Sequence, residues 1–551
     1  MNAPELRPLD EHFGRALGRW AAALDDGDRA LLERLGARLS AELGRQNACL
    51  ELGGLAGEAD WPETARLADV LARSGLLAPL EGPAPLVLEG ERLYLARYHR
   101  YEVSLAEALE ARAGARLLSE AQIDALAPRL ATLFPSDDEP DWQRVAAATA
   151  LDRRLAVIAG GPGTGKTTTV ARLLVLLLEA GGDPPPRIRL AAPTGKAAAR
   201  LTEALRDARG ALRAEGLAAP EVLEALPDAA STLHRLLAYR SADNRFAHGP
   251  ERPLAADVVV VDEASMVDLR LMARLVSALP AQARLILLGD PDQLSSVEAG
   301  RVLGDLCAWT ETHADRERFT IAGAERLGRL VGSDLQALGG AAVPPLADAL
   351  CILRRSRRFE AGGALARFAH AVNGGDARGA RAVLAADDPG LGAVPDRSAL
   401  VTAAVEGYVA VLEAAGSAEP AEALGAYARF QVLCASRHGP LGVERMNVTI
   451  EQALRRRGRI AGGERNYAGR PVMITVNDYG LGLFNGDVGL LLRDAAGVVR
   501  AWFLAPDRTP RSVRAARLPA HETAFAMTVH KSQGSEFDRI LVVLGEDEPR
   551  L

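Results

Sequence analysis

The spacing of apolar and polar positions changes along the chain and predicts three kinds of region. In the first 113 residues, apolar side chains recur three and four positions apart, as in DRALLERLGARLSAEL at 28–43. This spacing is typical of amphipathic helices. The segment LYLARYHRYEVSLAEAL at 93–109 predicts a closing strand and helix. Since the region carries no catalytic constellation, we interpret 1–113 as a helical docking domain.

After Pro140, apolar runs typical of strands alternate with helical segments. These runs lie at 155–159, 188–191, 258–261 and 284–288. Such alternation predicts βαβ units and a parallel sheet covered by helices on both faces. The stretch GGAAVPPLADAL that follows is rich in Gly, Pro and Ala and predicts a hinge. We therefore expect one α/β domain at 114–338 and a second at 339–551.

The second α/β domain contains a segment of different character. Strands of the parallel type are expected at 430–434 and 539–544. Between them, PVMITVNDYGLGLFNGDVGLLLRD and VVRAWFL indicate short strands with an Asn-Gly-Asp turn. This pattern predicts a small antiparallel β-barrel inserted at about 462–520.

Composition indicates a cytoplasmic protein of several domains. A chain of 551 residues is too long for one ordinary core. The net charge of -7 argues against nucleic-acid binding over the whole surface, but a local basic groove stays possible. No apolar run is long enough for a membrane span. The cysteines are scattered singly, which favours neither a zinc site nor disulfides: Cys49, Cys307, Cys351 and Cys434.

A phosphate-binding loop is the strongest chemical signal. The sequence GGPGTGKT follows the expected strand at 155–159 and precedes a helical segment. Its backbone N–H groups can converge on phosphate oxygens, Lys166 can reach the β- and γ-phosphates, and the Thr167 hydroxyl can ligate Mg²⁺. The alternative is a glycine-rich turn that matches by chance. The candidate nucleotide-binding residues are Gly160, Gly161, Pro162, Gly163, Thr164, Gly165, Lys166, Thr167 and Thr168.

Two further strand ends supply polar groups for phosphate chemistry. Asp262 and Glu263 follow the run at 258–261, where α/β sheets hold their ligands. Asp262 would hold Mg²⁺ through water, and Glu263 would polarise the attacking water. Two acids after a strand can instead cap a helix. Gln293 follows the run at 284–288 and could sense the γ-phosphate, although an isolated Gln after a turn is commonly a surface residue.

These motifs occur in the order found in superfamily 1 DNA helicases, which the chain resembles. The motifs are GGPGTGKTTT, VVVDEAS, LLGDPDQL and MTVHKSQGSEF. Further segments resemble the RecD family of exodeoxyribonuclease V (RecBCD) subunits: DWQ, AAPTGKAA, STLHRLL, RSRRF, CASRHGPLG and LFNGDVG. The resemblance implies an α/β fold with two RecA-like P-loop NTPase motor domains, a helical N-terminal domain and an SH3-like β-barrel insert.

The resemblance also implies roles for residues that match the family's motifs. Gln143 would contact the adenine edge. Arg358 would act as an arginine finger, unless RRSRR is only a solvated basic cluster. Seven residues would face single-stranded DNA: Thr194, Lys196, Thr232, His234, Thr528, His530 and Ser532. Three would couple that strand to the nucleotide: Gln533, Gly534 and Glu536.

The function implied by the resemblance is an ATP- and Mg²⁺-dependent helicase that moves 5′ to 3′ on DNA. It would unwind DNA from double-strand ends for recombinational repair, together with RecB-like and RecC-like subunits, one of which would hold the nuclease. Two alternatives stay open: a stand-alone helicase, and a nucleotide-binding assembly subunit without motor activity. Relatives carry a further arginine motif beyond the point where this chain stops at Leu551, so weak ATPase activity is an expectation.

Overall fold

Two compact units make up the described part of the chain. The computed structural model describes residues 6–55, 58, 60–77, 84–135, 140–296, 298–312, 318–355, 362–386, 388–416, 419–460, 465–478, 480–505 and 509–545. One unit is drawn from Met1–Pro193 and Ala208–Arg358, and the other from Thr194–Asp207 and Phe359–Leu551. In the described residues, no helix combines the length and the hydropathy needed to cross a bilayer.

The first unit begins with a small helical region. Its elements are α1 (Pro8–Trp20), α2 (Asp26–Gly44), β1 (Cys49–Glu51), α3 (Leu52–Leu55), α4 (Thr64–Arg73), β2 (Leu86–Glu89) and β3 (Arg92–Leu95). Asp25 starts α2 because its side chain accepts the N–H of Asp28 at 2.9 Å. Leu32 and Leu35 of α2 pack with Leu17 of α1 in a buried cluster. The helix predicted at 28–43 is thereby confirmed.

The rest of the first unit alternates strands with helices. Its elements are α5 (Ala96–Gly114), α6 (Glu120–Leu133), α7 (Trp142–Asp152), β4 (Leu155–Gly160), α8 (Lys166–Ala180), β5 (Ile188–Ala192), α9 (Gly195–Ala214, whose first turns belong to the second unit), α10 (Pro220–Ala225), β6 (Ser231–Thr232), α11 (Leu233–Leu236), β7 (Tyr239–Arg240), β8 (Arg245–Phe246), β9 (Val258–Val261), α12 (Leu269–Ala278), β10 (Arg284–Gly289), α13 (Val302–Thr312), β11 (Phe319–Thr320), α14 (Ile321–Val331), β12 (Gly339–Gly340) and β13 (Leu350–Leu353).

A parallel sheet forms the centre of the first unit, in the order β13-β4-β10-β9-β5-β6. Both β4 and β9 are buried along their whole length, which explains their continuous apolar sequences. The four strands predicted in this region are confirmed. The predicted domain boundary at 338/339 precedes β13, which nevertheless pairs with β4. The division into domains stays a prediction.

The second unit contains a smaller parallel sheet. Its elements are α15 (Ala364–Asn373), α16 (Ala377–Leu384), α17 (Arg397–Ala414), α18 (Pro420–Ala428), β14 (Phe430–Cys434), α19 (Val443–Arg456), β15 (Pro471–Ile474), β16 (Val488–Arg493), β17 (Val499–Leu504), β18 (Pro510–Arg514), β19 (His521–Thr523), β20 (Ala526–Thr528), α20 (Val529–Ser532) and β21 (Arg539–Val543). β14 lies between β20 and β21, parallel to both. Both strands predicted here are confirmed.

An antiparallel sheet interrupts the second unit between β14 and β20. Its order is β18-β17-β16-β15-β19, and its neighbouring strands are antiparallel throughout. Val472, Leu491 and Phe503 contribute to a small core of its own. The antiparallel strands predicted from the sequence are therefore present, whereas the identification of this segment as an SH3-like barrel stays a prediction.

Candidate nucleotide site

The predicted phosphate loop lies between the end of β4 and the start of α8. Gly163 and Gly165 have φ angles of +76° and +85°, which side-chain-bearing residues rarely adopt. A Cβ atom at Gly165 would lie 2.3 Å from Nε2 of Gln143. The Thr164 hydroxyl donates a 2.8 Å hydrogen bond to the Gly161 carbonyl and closes the loop on itself. The loop conformation therefore depends on the glycines of the motif.

Lys166 lies against the carbonyl groups at the start of the loop. Its Nζ donates hydrogen bonds to the carbonyls of Gly160 at 2.5 Å and Gly161 at 3.1 Å. Thr167 is half-buried and Thr168 is exposed in the first turn of α8. Backbone N–H groups at a helix start carry partial positive charge. Lys166 and the start of α8 thus present positive charge at the same end of β4.

Two acidic residues follow β9, as the sequence predicts. The N–H of Asp262 donates to the Ala191 carbonyl, and Oδ1 of Asp262 accepts the N–H of Glu263, both at 2.9 Å. Burial raises the pKa of Asp262, and the nearby charge of Lys166 opposes this rise. Glu263 has φ +52° and ψ +42°, a left-handed conformation that is uncommon outside glycine. Strained backbone of this kind is often found at functional sites.

Gln293 is held by a residue that the sequence analysis did not single out. Nε2 of Gln293 donates to Oδ2 of Asp290 at 3.2 Å, while Oδ1 of Asp290 accepts the N–H of Asp292 at 3.1 Å. Asp290 is only 4% exposed. Burial raises its pKa, and Lys166 counteracts this effect. The position of Asp290 directly after an apolar strand was the signal that could have identified it.

Strand register explains why these side chains lie together. β10 lies between β4 and β9, with Gly289 opposite Ala159 and Leu287 opposite Val261. The residues that follow the three strands therefore meet at one edge of the sheet. Lys166 is the positive side chain common to the electrostatic surroundings of Asp262 and Asp290.

Gln143 is attached to the phosphate loop from outside. Its Nε2 donates to the Thr164 carbonyl at 2.9 Å, and its N–H donates to Oδ1 of Asp141, the residue that caps α7. The structure thus places Gln143 beside the loop. Arg358, the candidate arginine finger, lies outside the described residues.

Thr232 and His234 belong to the first unit, where His234 lines a cavity. The Thr232 hydroxyl accepts the N–H of Arg235 at 3.2 Å and caps α11. The His234 ring lies 5.3 Å from Tyr239 and 5.7 Å from Phe246, measured between ring centroids. These rings line a cavity of about 570 Å³ together with basic and acidic side chains: Arg97, Arg270, Asp268 and Glu298. Partial burial lowers the pKa of His234.

Thr194 and Lys196 belong to the second unit. The Thr194 hydroxyl accepts the N–H of Ala197 at 3.2 Å, and Nζ of Lys196 donates to the Ser535 hydroxyl. Burial, with a smaller effect of Arg200, lowers the pKa of Lys196 to about 8, and Asp487 opposes this shift. Asp487 belongs to the Asn-Gly-Asp turn, to which the sequence analysis gave no role.

The remaining candidates of the second unit surround α20. Oγ1 of Thr528 accepts the N–H of Lys531 at 3.3 Å, and the Ser532 hydroxyl donates to the Val529 carbonyl at 2.8 Å. The His530 carbonyl accepts the N–H of Gln533 at 3.3 Å. The next residues include Gly534, with φ +68°, and Glu536, 3.8 Å from Arg200. Lys531 also donates to Asn485 at 2.7 Å, a contact the motifs did not predict.

In the described residues, no group of three His, Cys, Asp or Glu side chains is placed to hold a metal ion. A metal at this sheet edge would therefore need ligands from a hydroxyl, from water or from a bound phosphate. Thr167 and Asp262 are the side chains whose oxygen chemistry suits Mg²⁺.

Comparison with known proteins finds similarity over most of the chain. A family model described as "RecBCD enzyme subunit RecD, N-terminal domain" matches residues 2–94, and one described as "AAA domain" matches residues 143–299. The chain is 37% identical to the RecBCD enzyme subunit RecD of Mycolicibacterium smegmatis, over 99% of this chain and 89% of that protein. It is 35% identical to the RecBCD enzyme subunit RecD of Haemophilus influenzae, over 85% of this chain and 74% of that protein.

A more distant similarity links the chain to a protein named as a helicase. The ATP-dependent RecD2 DNA helicase of Deinococcus radiodurans is 31% identical over 72% of this chain and 45% of that protein. The shared region is therefore less than half of the RecD2 helicase.

Proposed function

Because the chain belongs to the RecD family of RecBCD enzyme subunits, we propose that it is the ATP-dependent DNA helicase subunit of such an enzyme. It moves 5′ to 3′ along a single strand and unwinds DNA from double-strand ends for recombinational repair. Its partners are RecB-like and RecC-like subunits. The 5′ to 3′ direction rests on the family resemblance, since no contact within the described residues indicates polarity. The place of action is the cytoplasm.

The observation that carries the proposal is the charge arrangement at one edge of the parallel sheet. Lys166 interacts electrostatically with both Asp262 and Asp290, which follow neighbouring strands. The half-buried carboxylate of Asp262 and the buried carboxylate of Asp290 lie beside an ammonium group and a helix start. This combination of negative and positive charge suits a nucleoside triphosphate and its bound cation. This arrangement favours ATP hydrolysis over a glycine-rich turn without function.

ATP would bind with its phosphates on the loop before α8. The Nζ atom of Lys166 would exchange its bonds to the Gly160 and Gly161 carbonyls for bonds to phosphate oxygens, so the ammonium group has hydrogen-bond acceptors in both states. Backbone N–H groups of the loop would add further donors. Gln143, fixed against the Thr164 carbonyl, would contact the adenine.

Mg²⁺ fits the oxygen donors of Thr167 and Asp262, and when bound it neutralises charge on the phosphates. The half-buried carboxylate of Asp262 would gain from a cation at this position, because desolvation raises its pKa and so favours the protonated form. Glu263 would accept a proton from the attacking water. Gln293, oriented by Asp290, would hydrogen-bond the γ-phosphate.

Polar side chains of the first unit and of the second unit are assigned to the binding of single-stranded DNA. In the first unit these are Thr232, which caps α11, and His234, which lines an aromatic cavity. Aromatic rings can stack on bases without regard to sequence, and hydroxyl and amine groups can bind the backbone. In the second unit the residues are Thr194, Lys196, Thr528, His530 and Ser532. Arg358, Gln533, Gly534 and Glu536 keep the roles predicted from the resemblance.

The subunit assignment is favoured over the two alternatives. The chain is more similar to the two RecBCD subunits, at 37% and 35% identity, than to the RecD2 helicase, at 31%, which favours the subunit over a stand-alone helicase. A nucleotide-binding assembly subunit would not need Glu263 and Gln293 beside the phosphate loop. The motor motifs are not accompanied by a set of nuclease carboxylates, so DNA cleavage belongs to a partner subunit.

The decisive experiment is ATP hydrolysis by the full chain with and without single-stranded DNA, followed by purification with candidate partner subunits. DNA-stimulated hydrolysis that is lost in Lys166→Gln supports the motor. Stable co-purification with RecB-like and RecC-like chains supports the subunit role. A rate of ATP hydrolysis that is the same with and without single-stranded DNA would overturn the helicase proposal.

A further inference from the structure

Gln46 connects the N-terminal helical region to the loop that carries Gln293. Its Oε1 accepts the hydroxyl of Ser295 at 2.7 Å, and its backbone carbonyl accepts the N–H of Gly300 at 2.9 Å. We call residues 290–296 and 298–300 the sensor loop. Gln46 lies within the matched RecD N-terminal segment, whereas the sensor loop up to Ala299 lies at the end of the matched AAA segment and Gly300 directly follows it. The two bonds therefore join two regions of the first unit that match different family models.

The backbone at Gln46 has an unusual conformation. Its φ is +71°, in the left-handed region that non-glycine residues rarely adopt. Gln46 follows the end of α2, and its N–H donates to the Leu43 carbonyl at 3.1 Å. The Asn47 N–H then donates to the Glu42 carbonyl at 3.0 Å. The end of α2 thus fixes the direction in which Gln46 presents its carbonyl and side chain.

The sensor loop has one hydrogen bond within its first residues and another that joins its last residues to α12. At its start, Asp290 binds Gln293, as described above. Near its end, the Ala299 carbonyl accepts the N–H of Leu269 at 3.2 Å. Of the two residues that bind Gln46, Ser295 lies between Gln293 and Ala299 in the chain, and Gly300 directly follows Ala299. Ser295 is only two residues from Gln293. A shift of Ser295 would therefore also move Gln293, because only one residue separates them.

We propose that Gln46 is a positioning residue for ATP hydrolysis, holding the sensor loop so that Gln293 stays beside the phosphate loop. This inference rests on the proposed function of the same site. It gives the N-terminal region a part in hydrolysis that is distinct from docking. Gln46 contacts neither nucleotide nor DNA in this role and acts only through Ser295 and Gly300.

The test uses the full chain with Gln46→Ala and, from the other side of the same bond, Ser295→Ala. Each is expected to lower kcat for DNA-stimulated ATP hydrolysis about five-fold, the effect of losing one neutral hydrogen bond. KM for ATP should stay within about two-fold, because the phosphate loop is untouched. Gln46→Glu keeps an acceptor oxygen for Ser295 and should retain most of the activity.

Ser40→Ala is the matched control. The Ser40 hydroxyl donates to Oδ1 of Asp10 at 2.7 Å, a bond of the same length and from the same donor group, but to a carboxylate, that lies within the N-terminal region. Its loss should leave kcat unchanged. The double variant Gln46→Ala/Ser295→Ala should have a kcat no lower than that of the slower single variant, because the two substitutions remove the same hydrogen bond. Unchanged kcat in Gln46→Ala, or an equal fall in Ser40→Ala, would overturn the proposal.

Hydrogen exchange separates this inference from the proposed function. If the Gln46 side chain holds the sensor loop, the N–H groups of Asp292 and Gln293, which donate to Asp290, should exchange faster in Gln46→Ala than in the unaltered chain or in Ser40→Ala. The substitution keeps the backbone carbonyl at position 46 that accepts the Gly300 N–H. This measurement does not require hydrolysis. A chain without ATPase activity would contradict the proposed function, and the exchange result would still decide whether Gln46 fixes the loop: faster exchange supports that role and unchanged exchange refutes it.

Discussion

The side-chain amide of Gln293 donates a 3.2 Å hydrogen bond to Oδ2 of Asp290, three residues earlier in the chain. Asp290 is almost fully buried at the end of β10 and interacts electrostatically with Lys166. One carboxylate therefore fixes the orientation of Gln293 and faces the charge of the phosphate loop at the same time.

Replacing Asp290 with Ala is expected to lower kcat for ATP hydrolysis about ten-fold, because Gln293 loses its fixed orientation. Asp290→Asn keeps an oxygen acceptor for Gln293, so its kcat should fall less than that of Asp290→Ala. Steady-state hydrolysis at saturating single-stranded DNA measures both. Asp292→Ala is the control, since the Asp292 side chain is exposed and only its N–H binds Asp290. Normal kcat in Asp290→Ala would contradict the role given to Gln293.

Lys166→Gln should abolish ATP hydrolysis, with a loss of about 100-fold or more, because it removes a positive charge from the phosphates. The unfolding temperature should change little, since Nζ of Lys166 binds loop carbonyls and fills no core. Arg189→Gln changes an exposed basic side chain of β5 in the same way and serves as the control. Normal turnover by Lys166→Gln would refute the assignment of the nucleotide site.

Loss of the His234 ring should weaken binding of single-stranded DNA about ten-fold, as expected for one lost stacking or polar contact, and leave ATP binding within about two-fold. Fluorescence anisotropy at fixed salt measures the DNA affinity. The double variant Thr232→Ala/His234→Ala should bind DNA still more weakly, but Thr232 also caps α11. His248→Ala, in which the lost ring binds the Arg252 carbonyl, is the control. Equal losses of DNA and ATP binding would indicate misfolding instead.

Affinity for single-stranded DNA should fall as the pH rises from 7 to 9. Lys196, with a pKa of about 8, loses its positive charge in this range. Lys196→Arg keeps the charge and should flatten the profile. Burial also lowers the pKa of Lys531, so Lys531→Arg is measured in parallel. A profile that Lys196→Arg leaves unchanged would show that Lys196 does not bind DNA.

The pKa of Lys196 also affects stability. Between pH 8 and the ordinary lysine value of 10.5, the unfolded chain holds more protons at this position than the folded chain does. The contribution of Lys196 to the free energy of unfolding should therefore rise with pH over that window. Urea denaturation of the chain and of Lys196→Met between pH 8 and 10 measures the difference. A difference that does not change with pH would contradict the lowered pKa.

Local sequence patterns predicted the strands and the phosphate loop well. The apolar run before Gly160 is buried along all of β4, and the glycines occupy the conformations that a phosphate loop requires. Both features depend on neighbouring residues, so spacing and residue type are enough to identify them. The division of the chain was harder to predict, because β13 is only four residues long and follows a Gly- and Pro-rich stretch.

Contacts between distant parts of the chain could not be predicted. Gln46 and Ser295 are 249 residues apart, and neither residue type nor periodicity indicates that they meet. The role of Asp290 depends on its burial, which becomes visible only when β10 lies between β4 and β9. Asp487 and Lys196 likewise come together through folding, although each belongs to a motif that the sequence displays.

At Glu263, the residue that would make the protein more stable differs from the residue that ATP hydrolysis is proposed to need. A glycine would accept the left-handed backbone at this position at lower cost, with a gain on the order of 1 kcal/mol, but it would carry no carboxylate to activate water. If Glu263 has the proposed role, a laboratory search for heat-resistant variants that scores only folded protein would enrich Glu263→Gly and yield an enzyme that does not hydrolyse ATP. Such a search on this chain has to score hydrolysis in every round.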